Sequence, residues 1–596
     1  MIGYTLKAEA VEEVLSFVGQ FEDADDEALE LLLDEIDNES YKSTILDRES
    51  VHRVVSLLLD ADSAVASGPD VSNQTALRVI DVFNVPKFRY DPVKKVFYEH
   101  TGRLPIHGEA SAKAALYRDR FHLLLQRISR DKHFSRPVFD SEMVDSQSCE
   151  ITSIQSLIGS VGRKWIMGVI SQLEDGHFFL EDLTGAVPVD LSNAISLIEH
   201  IVYIFHLPNL IVFFDVSHKI TSGFFVENTI IVAEGELLLN GVFQVSTCGF
   251  PPLEDREASL SLLMGLDFFG SGILTSEETL RLSQLEKKAV NDMFVVLSDV
   301  WVDNDETMEK LATVLDGYEN VDVVPSLFVL MGNFCSRPCN LSFHSFSSLR
   351  LKFTKLGEMI GSHPRIKEHS RFLFIPGPND PGPSTVLPRC ALPKYFTEEL
   401  QKQIPNAIFS SNPCRLKFCT QEIVFFRNDL LYRMRRSSLI PPSTEETSDP
   451  FEHLVATITH QSHLCPLPLT VQPVVWNYDH CLRLYPNPHT IVLGDSSEQN
   501  SFKYSGITCF NPGSFSRDGT FAAYRPCTRE VELSALEGCE ARPKCGGGGG
   551  GGNARAAAAL INPSPSYTNR KSSHRDDHRT MKSEGYYDCG QPTIAW

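Results

Sequence analysis

The spacing of apolar residues changes twice along the chain, and each change predicts a different kind of structure. Over residues 1–62 the apolar positions recur at helical intervals, and the four valine and leucine residues between Val11 and Val18 share one face. From about residue 154 the interval becomes two, and Asn240-Gly241 stands between two such runs as a hairpin turn would. Beyond about residue 290, apolar strands alternate with helical stretches, which is the pattern of a layered α/β domain.

These patterns predict an α+β multidomain chain. The predicted units are an acidic helical N-terminal domain (1–70), a connector (71–150), an OB-type β-barrel (151–255), a layered α/β domain (256–538) and a disordered tail (539–596). The tail is set apart by seven consecutive glycines from Gly546 to Gly552, because a segment of that composition cannot bury enough apolar surface to fold.

The barrel is predicted from five short alternating strands on either side of an apolar insert near 197–220. The aromatic and basic interleaving that single-stranded DNA binding needs is thin in these strands, which favours a protein-packing module. The uncharged run from His200 to Phe214 is shorter than the roughly 20 residues of a membrane span, and Pro208 interrupts it. We therefore expect no transmembrane segment, and the insert is either a lineage-specific element or a retained intron.

Composition and charge narrow the function. The formal net charge is −23, so we expect contact with DNA to be mainly indirect, since binding to phosphates needs clustered Lys and Arg. Residues 1–60 hold 16 acidic side chains against four basic ones, which indicates either a solvated helical face or a docking surface for a basic partner. The 14 cysteines are scattered, several within apolar strands, as expected for reduced thiols in an intracellular protein.

Polar loops follow the apolar strands of the α/β domain, where such domains tend to place their chemistry. The loops are Asp299-Val300-Trp301, Gly332-Asn333, Gly377-Pro378-Asn379-Asp380, Gly494-Asp495-Ser496-Ser497 and Asn511-Pro512-Gly513-Ser514. Their order resembles the calcineurin-like metallophosphoesterase pattern, which runs Asp-x-His, Gly-Asp, Gly-Asn-His-Asp, Gly-His-x-His and Asn-Pro-Gly-Ser.

The first three loops depart from that pattern at the positions that matter for metal binding. Trp301 stands in place of a histidine, and Asn333 stands in place of the aspartate that would bridge two metals. In the third loop Asp380 is kept, but the ligand asparagine and the catalytic histidine are replaced by Pro378 and Asn379.

In the fourth loop Asp495 and Ser497 stand where two histidines belong, whereas the Asn-Pro-Gly-Ser turn is intact. A two-metal centre needs imidazole and carboxylate ligands to hold two cations and to form hydroxide at neutral pH. An indole nitrogen only donates, and a neutral amide cannot balance two divalent charges. Asp299 is the one matched ligand that is clearly kept, so we expect no catalytic residue, no bound metal and no cofactor. Asp495 could still ligate a single ion.

The resemblance then narrows to a family. The stretches that carry it are "MFVVLSDVWVDN", "FIPGPNDPG", "CFNPGSF", "FFLEDLTGAVPVDLS" and "VIDVFNVPKFRYD". Together they resemble the B subunits of eukaryotic replicative DNA polymerases, most specifically the second subunit of the epsilon polymerase, over about residues 75–537. The resemblance implies an inactive calcineurin-like phosphoesterase domain and a nuclear, non-catalytic role in DNA replication.

The resemblance also implies partners. The barrel and the inactive domain would bind the zinc-bearing C-terminal region of the catalytic subunit of DNA polymerase epsilon, and the zinc would belong to that partner. The N-terminal helical domain would contact the replicative helicase, including its GINS component. Two alternatives remain at this point: an active metal-dependent phosphodiesterase or 3′-5′ exonuclease with substituted ligands, and a single-stranded DNA binder acting through the barrel.

Overall fold

The computed structural model describes most of the chain between residues 76 and 536. Within that span it omits 135–148, 175, 193–194, 197–222, 264, 340–342, 383–384, 441 and 443–446, and nearer the N-terminus it describes only 5–7, 9–11, 14, 45–46 and 51. Most of the predicted N-terminal helical domain, the apolar insert and the predicted tail therefore lie outside the described residues. No described helix is long and apolar enough to cross a membrane.

The predicted connector forms a strand, a hairpin and a long helix. The elements are β1 (Leu77–Asp81), β2 (Phe88–Asp91), β3 (Val96–Glu99) and α1 (Ala110–Ile128). Helix α1 buries Phe121, Leu124 and Ile128 against barrel residues that include Met167 and Val232. The helix therefore packs on the outside of the barrel through its apolar face.

The described residues between 164 and 249 form a closed five-stranded barrel. Its strands and two short flanking ones are β4 (Lys164–Glu174), β5 (His177–Glu181), β6 (Ala186–Asp190), β7 (Ile195–Ser196), β8 (Phe225–Val226), β9 (Ile230–Leu237) and β10 (Phe243–Gly249). The hydrogen-bonded order is β9-β4-β5-β6-β10, and β10 pairs back with β9. The β6 and β10 pair is parallel and the other pairs of the ring are antiparallel, and the ring closes around an apolar interior, which is the OB-type arrangement predicted.

The other described residues, up to 536, form two mixed sheets covered by helices. The elements are α2 (Arg256–Leu262), α3 (Ser276–Lys288), β11 (Phe294–Ser298), α4 (Asp305–Glu319), β12 (Leu327–Met331), α5 (Phe343–Gly361), α6 (Pro364–His369), β13 (Arg371–Ile375), α7 (Lys394–Gln403), β14 (Ala407–Phe409), β15 (Cys414–Phe418), β16 (Gln421–Arg427), α8 (Leu430–Ser437), β17 (Ser438–Ile440), α9 (Pro450–His460), β18 (Thr490–Gly494), β19 (Asn500–Tyr504), β20 (Ile507–Asn511), α10 (Phe515–Asp518), β21 (Thr520–Arg525) and β22 (Glu530–Ala535). One short strand, β17, belongs to neither sheet and pairs with β8 instead.

The two sheets each contain six strands and face each other. One has the order β14-β13-β12-β11-β21-β22, and the other has the order β19-β20-β18-β16-β15-β1. Strand β1 therefore reaches from the predicted connector to the edge of the second sheet, where it runs antiparallel to β15. Buried side chains from both sheets, such as Val296, Val329 and Phe425, share one apolar layer, and two further clusters lie under the helices.

The site is positioned by the parallel strands. Strands β11, β12 and β13 run parallel to one another in the first sheet, and β16, β18 and β20 do so in the second. The carboxyl ends of parallel strands meet at one edge of a sheet, so the loops that follow them converge. The predicted fold class, with an OB-type barrel and a layered α/β domain, is confirmed.

Candidate functional site

Asp299 occupies the centre of the converging loops. Strand β11 is buried along its whole length and ends at Ser298, so the next side chain lies between the two sheets. Asp299 has a φ of 58°, in the left-handed region that a non-glycine residue rarely adopts. Backbone strain of this kind persists only where the surrounding contacts hold it.

Three neighbours hold the Asp299 carboxylate. Arg427, at the end of β16, donates from Nη2 to Oδ1 at 2.6 Å. The Ser514 hydroxyl of the Asn-Pro-Gly-Ser turn donates to Oδ2 at 3.1 Å. Asn333 donates to Oδ1 from its backbone nitrogen at 3.2 Å and from Nδ2 at 3.3 Å. The carboxylate that a phosphoesterase would use as a metal ligand is therefore already occupied by protein donors.

Arg427 carries the only positive charge that contacts this carboxylate among the described residues. Its side chain is 0% exposed, and its guanidinium also pairs with Asp429 at 2.9 Å. It donates further to the carbonyl oxygens of Gly332 and Gly494. Burial lowers the pKa of Arg427, but the carboxylates of Asp299 and Asp429 outweigh burial and raise it, so the guanidinium stays charged.

The guanidinium therefore joins both sheets at the loop edge. Gly332 follows β12 of the first sheet, and Gly494 ends β18 of the second. Asn412 supports Arg427 from the side: its Nδ2 donates to the Arg427 carbonyl at 2.7 Å, and its Oδ1 accepts from the Arg427 backbone nitrogen at 3.1 Å. A planar group with five donors suits this role, because it can satisfy several oxygens in fixed directions.

The second and third loops are joined by hydrogen bonds from backbone nitrogens to side-chain oxygens. The Oδ1 atom of Asn333 accepts from the backbone nitrogen of Asn379 at 2.9 Å. The side chain of Asp380 accepts from the backbone nitrogens of Phe334 and Gly377, each at 2.7 Å. Burial raises the pKa of Asp380 to about 6, although both backbone donors favour its charged form.

Close packing fixes the glycines in these loops. A Cβ atom added to Gly332 would lie 1.9 Å from Oδ2 of Asp380, and one added to Gly377 would lie 2.5 Å from Oδ1 of Asn333. Contacts that short do not occur between real side chains, so these two positions require glycine because the loops approach each other closely.

Asp495 lies in a separate part of the edge and is held by N–H groups. Its Oδ2 atom accepts from the backbone nitrogens of Leu430 and Leu431 at 2.6 and 2.9 Å. Its Oδ1 atom accepts from the backbone nitrogen of Ser497 at 2.9 Å, and the Ser497 hydroxyl accepts from Asn511 Nδ2 at 3.2 Å. Burial raises the pKa of Asp495, and no described basic side chain forms an ion pair with it.

Trp301 and Pro378 each contact an arginine, Trp301 through its ring and Pro378 through its carbonyl oxygen. The guanidinium of Arg517 lies 6.0 Å from the centroid of the Trp301 ring, and the buried Trp301 Nε1 has no hydrogen-bond partner among the described residues. The carbonyl oxygen of Pro378 accepts from Arg389. The structure thus joins Asp299 to Asn333 and Asn333 to Asn379 by hydrogen bonds. Ser496, between Asp495 and Ser497, donates from its backbone nitrogen to Asp429, which pairs with Arg427 and so connects the fourth loop to Asp299.

A dinuclear metal centre does not fit these residues. The described part of the chain contains no group of three or more His, Cys, Asp or Glu side chains placed to hold a metal ion. Arg427 contacts the one carboxylate that the resemblance keeps as a ligand, and a cation at that oxygen would have to displace a buried charge of the same sign. We therefore derive no catalytic step through a metal.

Sequence reasoning found the loop residues but missed Arg427 and Asn412. The signal for Arg427 was available, because "EIVFFRND" places a charged side chain directly after four apolar residues at a predicted strand end. A charge in that position is buried, so it needs an oppositely charged partner. Asn412 gave no comparable signal, since an Asn-Pro pair ordinarily indicates a turn.

Comparison with known proteins assigns the class. Residues 294–503 match the family model that describes the B subunit of DNA polymerase alpha/epsilon. Residues 110–215 match the model described as DNA polymerase epsilon subunit 2-like, OB-fold domain. The first match covers four of the five converging loops of the α/β domain, and the second covers α1 and barrel strands β4 to β7. Together with the fold and the site, they define a B-type accessory subunit of a DNA polymerase.

Proteins with similar sequences identify the family of this chain within that class. The DNA polymerase epsilon B subunit of Arabidopsis thaliana is 64% identical over 90% of this chain and 97% of its own length. DNA polymerase epsilon subunit 2 of Homo sapiens is 34% identical over the same shares, and the B subunit of Schizosaccharomyces pombe is 31% identical over 74% of this chain and 73% of its own. The chain belongs to the family of DNA polymerase epsilon B subunits, which are accessory subunits and not enzymes.

Proposed function

We propose that this chain is a non-catalytic scaffold of DNA polymerase epsilon that acts in the nucleus during DNA replication. It binds the C-terminal region of the catalytic subunit, and its N-terminal domain links the polymerase to the replicative helicase, including GINS. The observation that carries the proposal is Arg427, whose buried guanidinium takes up the charge of Asp299 where a phosphoesterase would hold metal.

A scaffold must hold its surfaces in a fixed arrangement, and the contacts between barrel and α/β domain support this. The side chain of Gln461 clamps strand β9: Nε2 donates to the Ile230 carbonyl at 2.8 Å, and Oε1 accepts from the Ile230 nitrogen at 2.9 Å. Arg127 of α1 donates to Ser462 Oγ and to the His460 carbonyl, each at 2.6 Å. All of these residues are buried.

A buried ion pair fixes α1 to the α/β domain as well. Arg120 donates to Asp479 at 2.5 Å, and both side chains are less than a tenth exposed. His463 contacts the same carboxylate through Nε2 at 3.2 Å. Burial raises the pKa of Asp479, but Arg120 and His463 outweigh burial and hold it well below its usual value. Barrel, helix and α/β domain therefore form one rigid support for a partner.

The helicase link is proposed on the acidic charge of the N-terminal region. Residues 1–60 carry 16 acidic and four basic side chains, so their surface suits a basic partner. A tether of this kind raises the effective concentration of the polymerase at the helicase without any new contact at the polymerase itself.

Co-expression of the full chain with the C-terminal region of the catalytic subunit tests the proposal. We expect a 1:1 complex on size-exclusion chromatography with light scattering, and we expect its zinc content to equal that of the partner. An Arg127→Met variant should loosen the attachment of α1, and of the barrel packed on it, to the α/β domain and so weaken the complex. Arg118→Met, an exposed neighbour on α1, serves as the control. Failure of the wild-type chains to co-elute would contradict the proposal.

A further inference from the structure

We propose that a cleft between the β2–β3 hairpin and helix α1 binds the phosphate backbone of single-stranded nucleic acid. This goes beyond the scaffold function, which needs no contact with nucleic acid. The net charge of the chain is −23, but residues 87–132 carry eleven Lys and Arg against five Asp and Glu. The segment that forms this cleft is therefore net basic within a net acidic chain, although Arg120 and Arg127 of this segment are buried against the α/β domain.

Two carboxylates line the cleft, Asp91 and Asp119, and only Asp119 forms ion pairs with described residues. Arg89 and Tyr98 are directly opposite each other across the hairpin, so their side chains share one face. Arg89 donates to Asp119 of α1 at 3.3 Å, and Arg483 approaches the same carboxylate at 3.6 Å. The Asp119 carboxylate, which would repel a phosphate, is thus bound by two guanidinium groups.

The rim of the cleft carries cations available to a ligand. Lys94 on the hairpin and Arg118 on α1 are both exposed, both line the cleft, and neither forms an ion pair with a described residue. Helix α1 is held by its buried apolar face, so Arg118 projects from a fixed support. Two such cations on facing walls suit a chain of phosphates, because successive phosphate groups can contact the cation on each wall.

An aromatic ring completes the pattern. Tyr98 lines the cleft and remains 48% exposed, and the cavity has a volume of about 420 Å³, enough for part of a nucleotide. Exposed aromatic rings beside cations are the combination that single strands use, because bases stack on the ring while phosphates meet the charges. An acidic peptide would use the cations but would gain nothing from the ring.

Fluorescence anisotropy with a labelled 20-nucleotide oligo-dT tests the proposal on the full chain. We expect Lys94→Glu/Arg118→Glu to weaken binding at least tenfold and to reduce the slope of log K against log salt by about 1.4, since each lost phosphate contact removes about 0.7. The control is Lys355→Glu/Lys367→Glu, which changes the net charge equally at two exposed lysines elsewhere. Melting curves of both variants check that they remain folded.

A second pair of variants tests the ring. Tyr98→Ala should weaken oligo-dT binding at least fivefold, because base stacking is worth about 1–3 kcal/mol. Tyr395→Ala is the control, since Tyr395 is also 48% exposed and lies outside the cleft. Equal losses from both charge reversals, or no binding of oligo-dT by the wild type, would overturn the proposal. So would competition by polyglutamate together with unchanged binding by Tyr98→Ala, which would indicate an acidic protein segment as the ligand.

Discussion

Replacing Arg427 by methionine removes the charge that joins the two sheets. The substitution keeps an unbranched apolar chain of similar length but leaves Asp299, whose side chain is 3% exposed, without an opposite charge. Asp299 keeps its hydrogen bonds from Ser514 and Asn333. The Asp429 side chain is 33% exposed, so water can solvate it once the guanidinium is gone.

The cost follows from the burial of Asp299. Breaking a buried ion pair by removing one partner costs about 3–5 kcal/mol, since the remaining charge is left uncompensated. We expect about 4 kcal/mol for Arg427→Met, because Asp299 retains neutral donors and Asp429 is hydrated. For a domain of this size each kcal/mol lowers Tm by about 2–4 °C, so the Tm of the α/β domain should fall by roughly 10 °C.

Thermal unfolding measured by calorimetry is the assay, and a double variant is the control. In Arg427→Met/Asp299→Asn both charges are absent, so part of the loss should be recovered, with a coupling energy of about 2–3 kcal/mol. A loss of less than about 1 kcal/mol for Arg427→Met would refute the reasoning. So would additive losses in the double variant, because they would show that the pair does not interact.

Three further predictions follow from single features of the structure. Gly332→Ala should destabilise the chain by more than about 2 kcal/mol in denaturant unfolding, because its Cβ would lie 1.9 Å from Asp380; Gly317→Ala in α4, with no atom within 4 Å, should be neutral or stabilising. Burial lowers the pKa of His460, His480 and His489 to about 3, so the unfolded chain binds more protons between about pH 3 and 6.5. The stability that these histidines contribute is then fully present above about pH 6.5 and is lost as the pH falls toward about 3, so Tm should be lower at pH 5 than at pH 7. The buried carboxyls of Asp380, with its pKa raised to about 6, and of Asp495, whose pKa is also raised, oppose this trend. A flat profile would contradict the prediction. Arg120→Met should lower Tm more than Arg118→Met on the same helix, because only Arg120 is buried against Asp479; equal shifts would contradict the proposed anchoring of α1.

The order of the strand-end loops predicted most of the site. Asp299, Asn333 and Asn379 meet because parallel strands end at one edge, and that rule applies to a sequence directly. Hydrogen bonding by backbone N–H groups describes how the carboxylates of Asp380 and Asp495 are held. It does not describe Asp299, which pairs with Arg427.

The features that sequence reasoning missed depend on contacts between residues that are far apart in the chain. Strand β1 lies at the edge of its sheet beside β15, and the residues that pair there are far apart in the chain, as Ile80 and Arg415 are. No local pattern specifies such a partner. Arg427 likewise lies 128 residues from Asp299. Periodicity determines which face of a strand is buried, but it does not determine which buried charge on another strand will lie opposite a given side chain.

Metal binding by the wild-type chain tests the central claim most directly. We would dialyse the purified full chain against Mn²⁺ at a concentration that loads two-metal phosphoesterases, and then measure bound manganese per chain. Because Arg427 occupies the Asp299 carboxylate and no described cluster replaces it, we expect no stoichiometric manganese. Two bound ions per chain, together with phosphodiester hydrolysis that EDTA abolishes, would contradict the inactive-scaffold assignment.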